Sequence, residues 1–266
     1  MGGGLGNIAG IGDGATVAGG IHNEARSLGA TVGGGVDNLA SDQFATVSGG
    51  EVNLASGIAA TVGGGAFNSA AGAFSFVTGR RAKAVNDGVF LFADTTDVDF
   101  FSAAANEFAV RASGGFRFRT SGDLSTGCNL PAGSGTFSCT SDRNVKENFQ
   151  GLDGRAILHK LSLIPITAWN YKGQDPAIRH IGPMAQDFYA TFGLGESDRT
   201  ISTVDADGIA LISIQALYQL SLEKDKQIEQ LTKELEELRQ KAAQVEELQR
   251  RIEQLERLVQ ELSAKK

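Results

Sequence analysis

Ala30-Thr31-Val32-Gly33-Gly34-Gly35-Val36-Asp37-Asn38-Leu39-Ala40 returns fifteen residues later as Ala45-Thr46-Val47-Ser48-Gly49-Gly50-Glu51-Val52-Asn53-Leu54-Ala55. The same step runs through residues 15–79. Ala15-Thr16-Val17 precedes these copies, Ala60-Thr61-Val62 follows them, and Ser75-Phe76-Val77 is a degenerate fifth. Glycine pairs recur at Gly19-Gly20, Gly34-Gly35, Gly49-Gly50 and Gly64-Gly65, and single columns hold Asn23, Asn38, Asn53 and Asn68, and Ala25, Ala40, Ala55 and Ala70. A unit this short and this rich in glycine cannot form a helical hairpin. It suits one coil of a parallel β-solenoid, with a short strand, a glycine turn, a second short strand and an asparagine turn. Coils stack about 4.8 Å apart, so every column becomes a ladder of like side chains. Alternation sends Ala and Val inward and Thr outward. Glycine supplies the left-handed corner, and stacked asparagines bond to one another and to turn amides.

The inward residues are few and small, and such a thin core is marginal for one chain. Neighbouring chains around a threefold axis are expected to cover the remaining apolar surface. Roughly residues 5–85 resemble the head repeats of trimeric autotransporter adhesins, left-handed β-rolls packed side by side. That resemblance implies architecture rather than a ligand. The Thr column (Thr16, Thr31, Thr46, Thr61) is too sparse for an ice-binding face. Calcium-binding Gly-Asp nonapeptides need an Asp in every unit, and here only Asp37 follows a glycine run. No metal and no cofactor is expected.

Around this stretch the chain changes material twice. Of its 35 glycines, 21 fall in residues 1–85, all four prolines lie beyond residue 130, and residues 209–266 hold neither. Length 266 allows one large domain or two to three small ones. The net charge of −7 argues against nucleic acid as a partner. No apolar run approaches the roughly 18 residues of a membrane span, and Met1-Gly2-Gly3-Gly4 lacks the character of a signal peptide.

Residues 86–140 break the period and are expected to form a β-rich connector or cap. Val89-Phe90-Leu91-Phe92 is strand-like, and residues 106–120 alternate, with Phe108, Val110, Phe116 and Phe118 against Arg111, Arg117 and Arg119. Gly114-Gly115 in their midst predicts a hairpin or two short strands. The phenylalanines suggest a larger core. Cys128 and Cys139 are compatible with a loop-closing disulfide or with free thiols.

Residues 141–213 have ordinary globular composition. The spacing of Asn144 and Glu147 is that of a capping box and predicts a helix starting near Asn144. A helix is expected over 152–163, a strand over 166–171 with Trp169, a helix after Pro183, a turn at Asp205-Ala206-Asp207-Gly208, and a last helix from Ile209. Ser141 and Lys146 are a conceivable nucleophile and base, but Ser221 and Lys226 share their spacing within the tail. Five residues of regular helix leave two side chains about 140° apart. A working pair therefore needs Ser141 on a turn ahead of a helix, or two chains. His159 and His180 read as structural, and nothing recognisable positions a base for Cys139.

Ser141-Asp142-Arg143-Asn144-Val145-Lys146-Glu147-Asn148-Phe149, then Ile181-Gly182-Pro183-Met184-Ala185-Gln186-Asp187, then Asp207-Gly208 before a long helix, resemble the intramolecular chaperone auto-processing domain. That family closes phage endosialidases, tailspikes and neck appendages and occurs in a membrane-bound eukaryotic regulator. Over about residues 138–230 the resemblance implies a trimeric chaperone that cuts itself off with a Ser-Lys dyad. It makes Ser141 the nucleophile and Lys146 the base, with Asp142, Gln186 and Asp187 completing the motifs. The scissile bond adjoins Ser141. It is either Thr140-Ser141, by attack on the preceding carbonyl, or Ser141-Asp142 through a neighbouring chain.

Residues 214–266 read as a coiled coil. Ile228, Leu231, Leu235, Leu238, Ala242 and Val245 form a heptad seam that restarts as Val245, Leu248, Ile252, Leu255, Val259 and Leu262. The expected whole is a mainly β amino-terminal half, a trimeric left-handed parallel β-solenoid or β-roll, then an α+β chaperone domain and a trimeric coiled coil. Its expected function is that of a homotrimeric tail-fibre or adhesin-like projection on a virion or bacterial surface. Alternatives are a non-cleaving structural trimer and a head that binds a cell-surface or glycan ligand.

Overall fold

The computed structural model describes residues 3–10 and 13–264. The chain divides into two compact units, Met1–Glu147 and Asn148–Lys266.

The first unit is built on the repeat. Thr16–Val17, Thr31–Val32, Thr46–Val47, Thr61–Ala66, Phe76–Arg80, Phe90–Ala93 and Phe108–Arg111 form one parallel seven-stranded sheet. Ile8–Ala9, Glu24–Ala25, Leu39–Ala40, Leu54–Ala55, Ser69–Ala70, Ala82–Ala84 and Phe100–Phe101 form a second. Thr31 pairs with Thr46 and Val32 with Val47, so the repeat is the register. Val17, Val32, Val47, Val62 and Val77 are buried against Ala25, Ala40, Ala55 and Ala70, while the threonines stay on the outer surface. The solenoid expectation is borne out, and the parallel ladders continue past residue 85 as far as Arg111. The coil length changes there: Phe76 pairs with Phe90 and Phe90 with Phe108, so the fifteen-residue period stops before the architecture does.

The asparagine column is a buried polar spine. Asn38 Nδ2 donates to Asn23 Oδ1 and to the carbonyls of Gly34 and Gly50, and its Oδ1 accepts the Asn53 amide. The spine ends where Asn68 Oδ1 accepts the Ala82 amide. Gly35, with φ near 92°, sits where a Cβ would lie 2.1 Å from the carbonyl oxygen of Gly50, so no side chain fits. A second left-handed column carries no glycine signal. His22, Asp37, Val52, Phe67 and Arg81 have φ between 52° and 61°. Each amide in this column donates to a carbonyl of the previous coil, as Val52 does to Val36, which offsets the backbone cost.

The connector phenylalanines do not build a larger core. Phe76, Phe90 and Phe108 stack in a ladder with centroids 5.1 and 4.9 Å apart, and Phe108 is 72% exposed. Phe108 and Phe116 lie on separate strands of different sheets. Gly115–Arg119 pairs antiparallel with Gly127–Pro131, which pairs with Ser138–Cys139. Arg111 secures the last coil, binding Asp94 Oδ1 and the carbonyls of Arg80, Thr96 and Val98.

In the second unit, helix α1 (Gly154–Leu163), capped by Asp153, packs on helix α3 (Thr203–Ser263) and meets helix α2 (Ala185–Phe192). Ile164, Phe188 and Ile209 are their shared core, and Gly154 lets α1 approach Ala216 closely. A two-stranded sheet, Thr167–Trp169 with His180–Gly182, lies between α1 and α2 in the chain. Asp205–Gly208 is not a turn. Helix α3 begins at Thr203, because Asp205 in the first turn suits the positive end of the helix dipole and Ile209 is buried in that core. Beyond residue 216 the seam side chains are exposed along the rest of the 61-residue helix.

Candidate functional site

The predicted helix near Asn144 does not form. Asp142, in extended conformation, caps a single 3-10 turn over Arg143–Val145, and Lys146 is extended again with φ −124°. Asn148 then takes φ 57°, and the next helix waits until Gly154. The physical reason is local. The Asp142 carboxylate accepts the Asn144 amide at 2.9 Å and its side-chain Nδ2 at 3.0 Å, so Asn144 lies inside a turn instead of heading a helix. Across the turn, Lys146 Nζ donates to Ser141 Oγ at 2.7 Å. The helical objection to the pair is thereby removed within one chain. Both side chains are exposed.

The segment entering the site is tethered. Cys128 and Cys139 are bonded, which settles the choice left open by the sequence, and they face each other across the antiparallel pair with Cα atoms 4.0 Å apart. Thr140 donates its amide to the Gly127 carbonyl at 2.9 Å, and its Oγ1 to the same oxygen at 3.1 Å. The turn beneath it is itself braced, since Asp123 Oδ1 accepts Ser121 Oγ, Ser125 Oγ and the Ser125 amide. Those hydrogen bonds, led by that from Ser121, hold the Asp123 carboxyl down at about 2. Sequence reading missed Asp123 and placed Asn144 at the head of a helix, whereas it lies inside the Asp142-capped turn. Each belongs to a polar triplet, Asp142-x-Asn144 or Ser121-x-Asp123-x-Ser125, whose signal is that of a side-chain-capped turn.

Of the residues expected at the site, Ser141, Asp142 and Lys146 come together in the first unit. Gln186 and Asp187 stand in the first turn of α2, in the second. His180 Nε2 bonds Gln174 Oε1 at 2.8 Å and packs on Trp169, a structural arrangement. His159 is exposed on α1. No cluster able to hold a metal occurs among the described residues, and no helix among them is long and apolar enough to cross a membrane.

A parallel β-solenoid leads in the chain to a tethered Ser-Lys contact, and a small helical unit that ends in a long helix follows it. Residues 141–193 match the family described as chaperone of endosialidase. The intramolecular-chaperone resemblance is thus borne out over that stretch. No curated protein and no solved structure matches the chain.

Proposed function

We propose that this is a homotrimeric fibre or surface-projection protein of a virion tail or bacterial surface. Its carboxy-terminal module gathers three copies, assists folding of the solenoid, and then separates by cleavage beside Ser141. The observation that carries the reading is the 2.7 Å contact between Lys146 Nζ and Ser141 Oγ, inside a segment of the chaperone family. The exposed seam supports the gathering role. Leu235, Leu238, Ile252 and Leu255 are each about half or more exposed in a single chain, and apolar rows at heptad spacing are covered in water by partner helices. Bringing strands together raises their local concentration and offsets the entropy of pairing residues far apart in sequence.

In the chemistry we favour, neutral Lys146 removes the Ser141 hydroxyl proton and Oγ attacks the Thr140 carbonyl carbon. The Thr140–Ser141 amide bond breaks as the proton passes to the Ser141 nitrogen, leaving an ester between Thr140 and Oγ. Water hydrolyses that ester to a Thr140 carboxylate and restores the Ser141 hydroxyl, beside the Ser141 amine already freed in the shift. A lysine base needs desolvation. Both partners are exposed in the single chain, so closure of the site by assembly would time the cut. That same exposure favours a second reading, in which the module stays attached as a permanent trimeriser. Intact mass of freshly folded protein decides between them. Cleavage yields pieces of 140 and 126 residues, while Ser141→Ala and Lys146→Ala stay whole. A wild-type chain that stays whole after folding refutes the cleavage chemistry.

A further inference from the structure

We infer that Asp142 is a positioning residue for the Ser141–Lys146 pair, acting through the geometry of its side-chain carbonyl-type oxygen and not through its charge. The inference rests on the self-cleavage reading above and adds the element that makes the pair possible within one chain.

Three features support it. The spacing of Ser141 and Lys146 fails on a regular helix and on an extended strand alike. Five residues of strand span about 16 Å, far beyond what a lysine side chain recovers. Within one chain only a compact turn between them permits contact, and the turn present is Arg143–Val145. Second, one atom organises that turn: Asp142 Oδ1 accepts both the backbone N–H and the side-chain Nδ2 of Asn144. The turn's own backbone bonds are long, 3.3 Å from the Val145 amide to the Asp142 carbonyl and 3.2 Å from the Lys146 amide to that of Arg143, so the side-chain acceptor is its tightest constraint. Third, Lys146 leaves the turn extended, with its Nζ directed to Ser141 Oγ and not to the adjacent carboxylate. Among the described contacts Asp142 has no ion pair with Lys146, so its part is to hold the backbone.

Geometry and charge predict opposite orders for two conservative substitutions. Asp142→Asn keeps an oxygen at the same reach and loses the charge. Asp142→Glu keeps the charge and moves the oxygen one methylene too far for the turn. In the full-length chain, cleavage during refolding is followed by denaturing gel and intact mass. Asp142→Ala is expected to slow it about fivefold or more, the loss of a capping acceptor expressed as a rate. Asp142→Asn restores it to within about twofold, Asp142→Glu does not, and the pH dependence of the Asn variant keeps the wild-type midpoint. Rescue by Glu but not by Asn, or a displaced pH midpoint in the Asn variant, overturns the inference.

A direct readout separates this from failure of the cleavage reading. In the uncleavable Ser141→Ala chain, amide hydrogen exchange over residues 142–147 should rise in Asp142→Ala and Asp142→Glu and stay low in Asp142→Asn. If exchange is unaltered by Asp142→Ala, Asp142 does not hold the turn and the inference is wrong, whether or not the wild type cuts itself.

Discussion

Replacing Asn38 by Ala removes one rung of the buried spine, and the structure sets the cost. Asn38 is 1% exposed. Its loss takes the acceptor from the Asn53 amide, bound at 3.0 Å in a site where Asn53 is also buried. It also takes a donor from the carbonyls of Gly34 and Gly50, although Gly50 keeps the Val36 amide. An orphaned buried backbone group costs about 1–3 kcal/mol, and each remaining hydrogen bond lost about 1 kcal/mol. Asn38→Ala should therefore destabilise the solenoid by about 3–5 kcal/mol per chain. Thr31 is the control. It lies one strand away, faces outward, and makes only a 3.4 Å contact with the Gly29 carbonyl, so Thr31→Ala should cost under about 1 kcal/mol. The assay is equilibrium unfolding of the full chain in guanidinium at one fixed protein concentration, because assembly makes the midpoint concentration-dependent. If both variants unfold within about 0.5 kcal/mol of each other, the spine is not a principal source of stability and the reasoning fails.

Two further outcomes follow from the tether and its turn. Cys128→Ser and Cys139→Ser, or reduction of the wild type, should cost the antiparallel sheet about 2–3 kcal/mol, the value of closing a short loop in the unfolded chain. An unchanged melting curve in reductant would contradict this. Asp123 is held at about 2, below its ordinary 3.8, and Asp94, bonded by Ser113 and Thr96, is also held low. A depressed folded-state value means the contribution is complete above pH 4 and is lost as pH falls through about 2. Acid unfolding of wild type should therefore be steeper than that of Asp123→Asn between pH 4 and 2, and equal slopes would sink the assignment.

Much was legible because repetition amplifies weak signals. A two-residue strand such as Thr31–Val32 is invisible to propensity, but four copies in step specify strand, corner and inward face together. The αL column His22, Asp37, Val52, Phe67 and Arg81 was not legible, because five unlike residues there share a conformation imposed by coil-to-coil hydrogen bonds. The same holds after Ala84, where coil length drifts while the ladders persist from Phe76 through Phe90 to Phe108. In the second unit, Asp205–Gly208 reads as a turn by composition and is helix by packing, since burial of Ile209 outweighs the preference of a single glycine.

The candidate site divides in the same way. The order Ser-Asp-x-Asn-x-Lys lies in the residues themselves, and a short carboxylate two positions before an amide offers that amide a turn in place of a helix. Contact between Ser141 and Lys146, and the bond that anchors Thr140 beside them, were decided only by the folded chain. Whether two side chains meet depends on backbone angles at the residues between them, and here those angles belong to the turn that the Asp142 carboxylate holds, while the disulfide and the strand edge fix only Thr140 ahead of it.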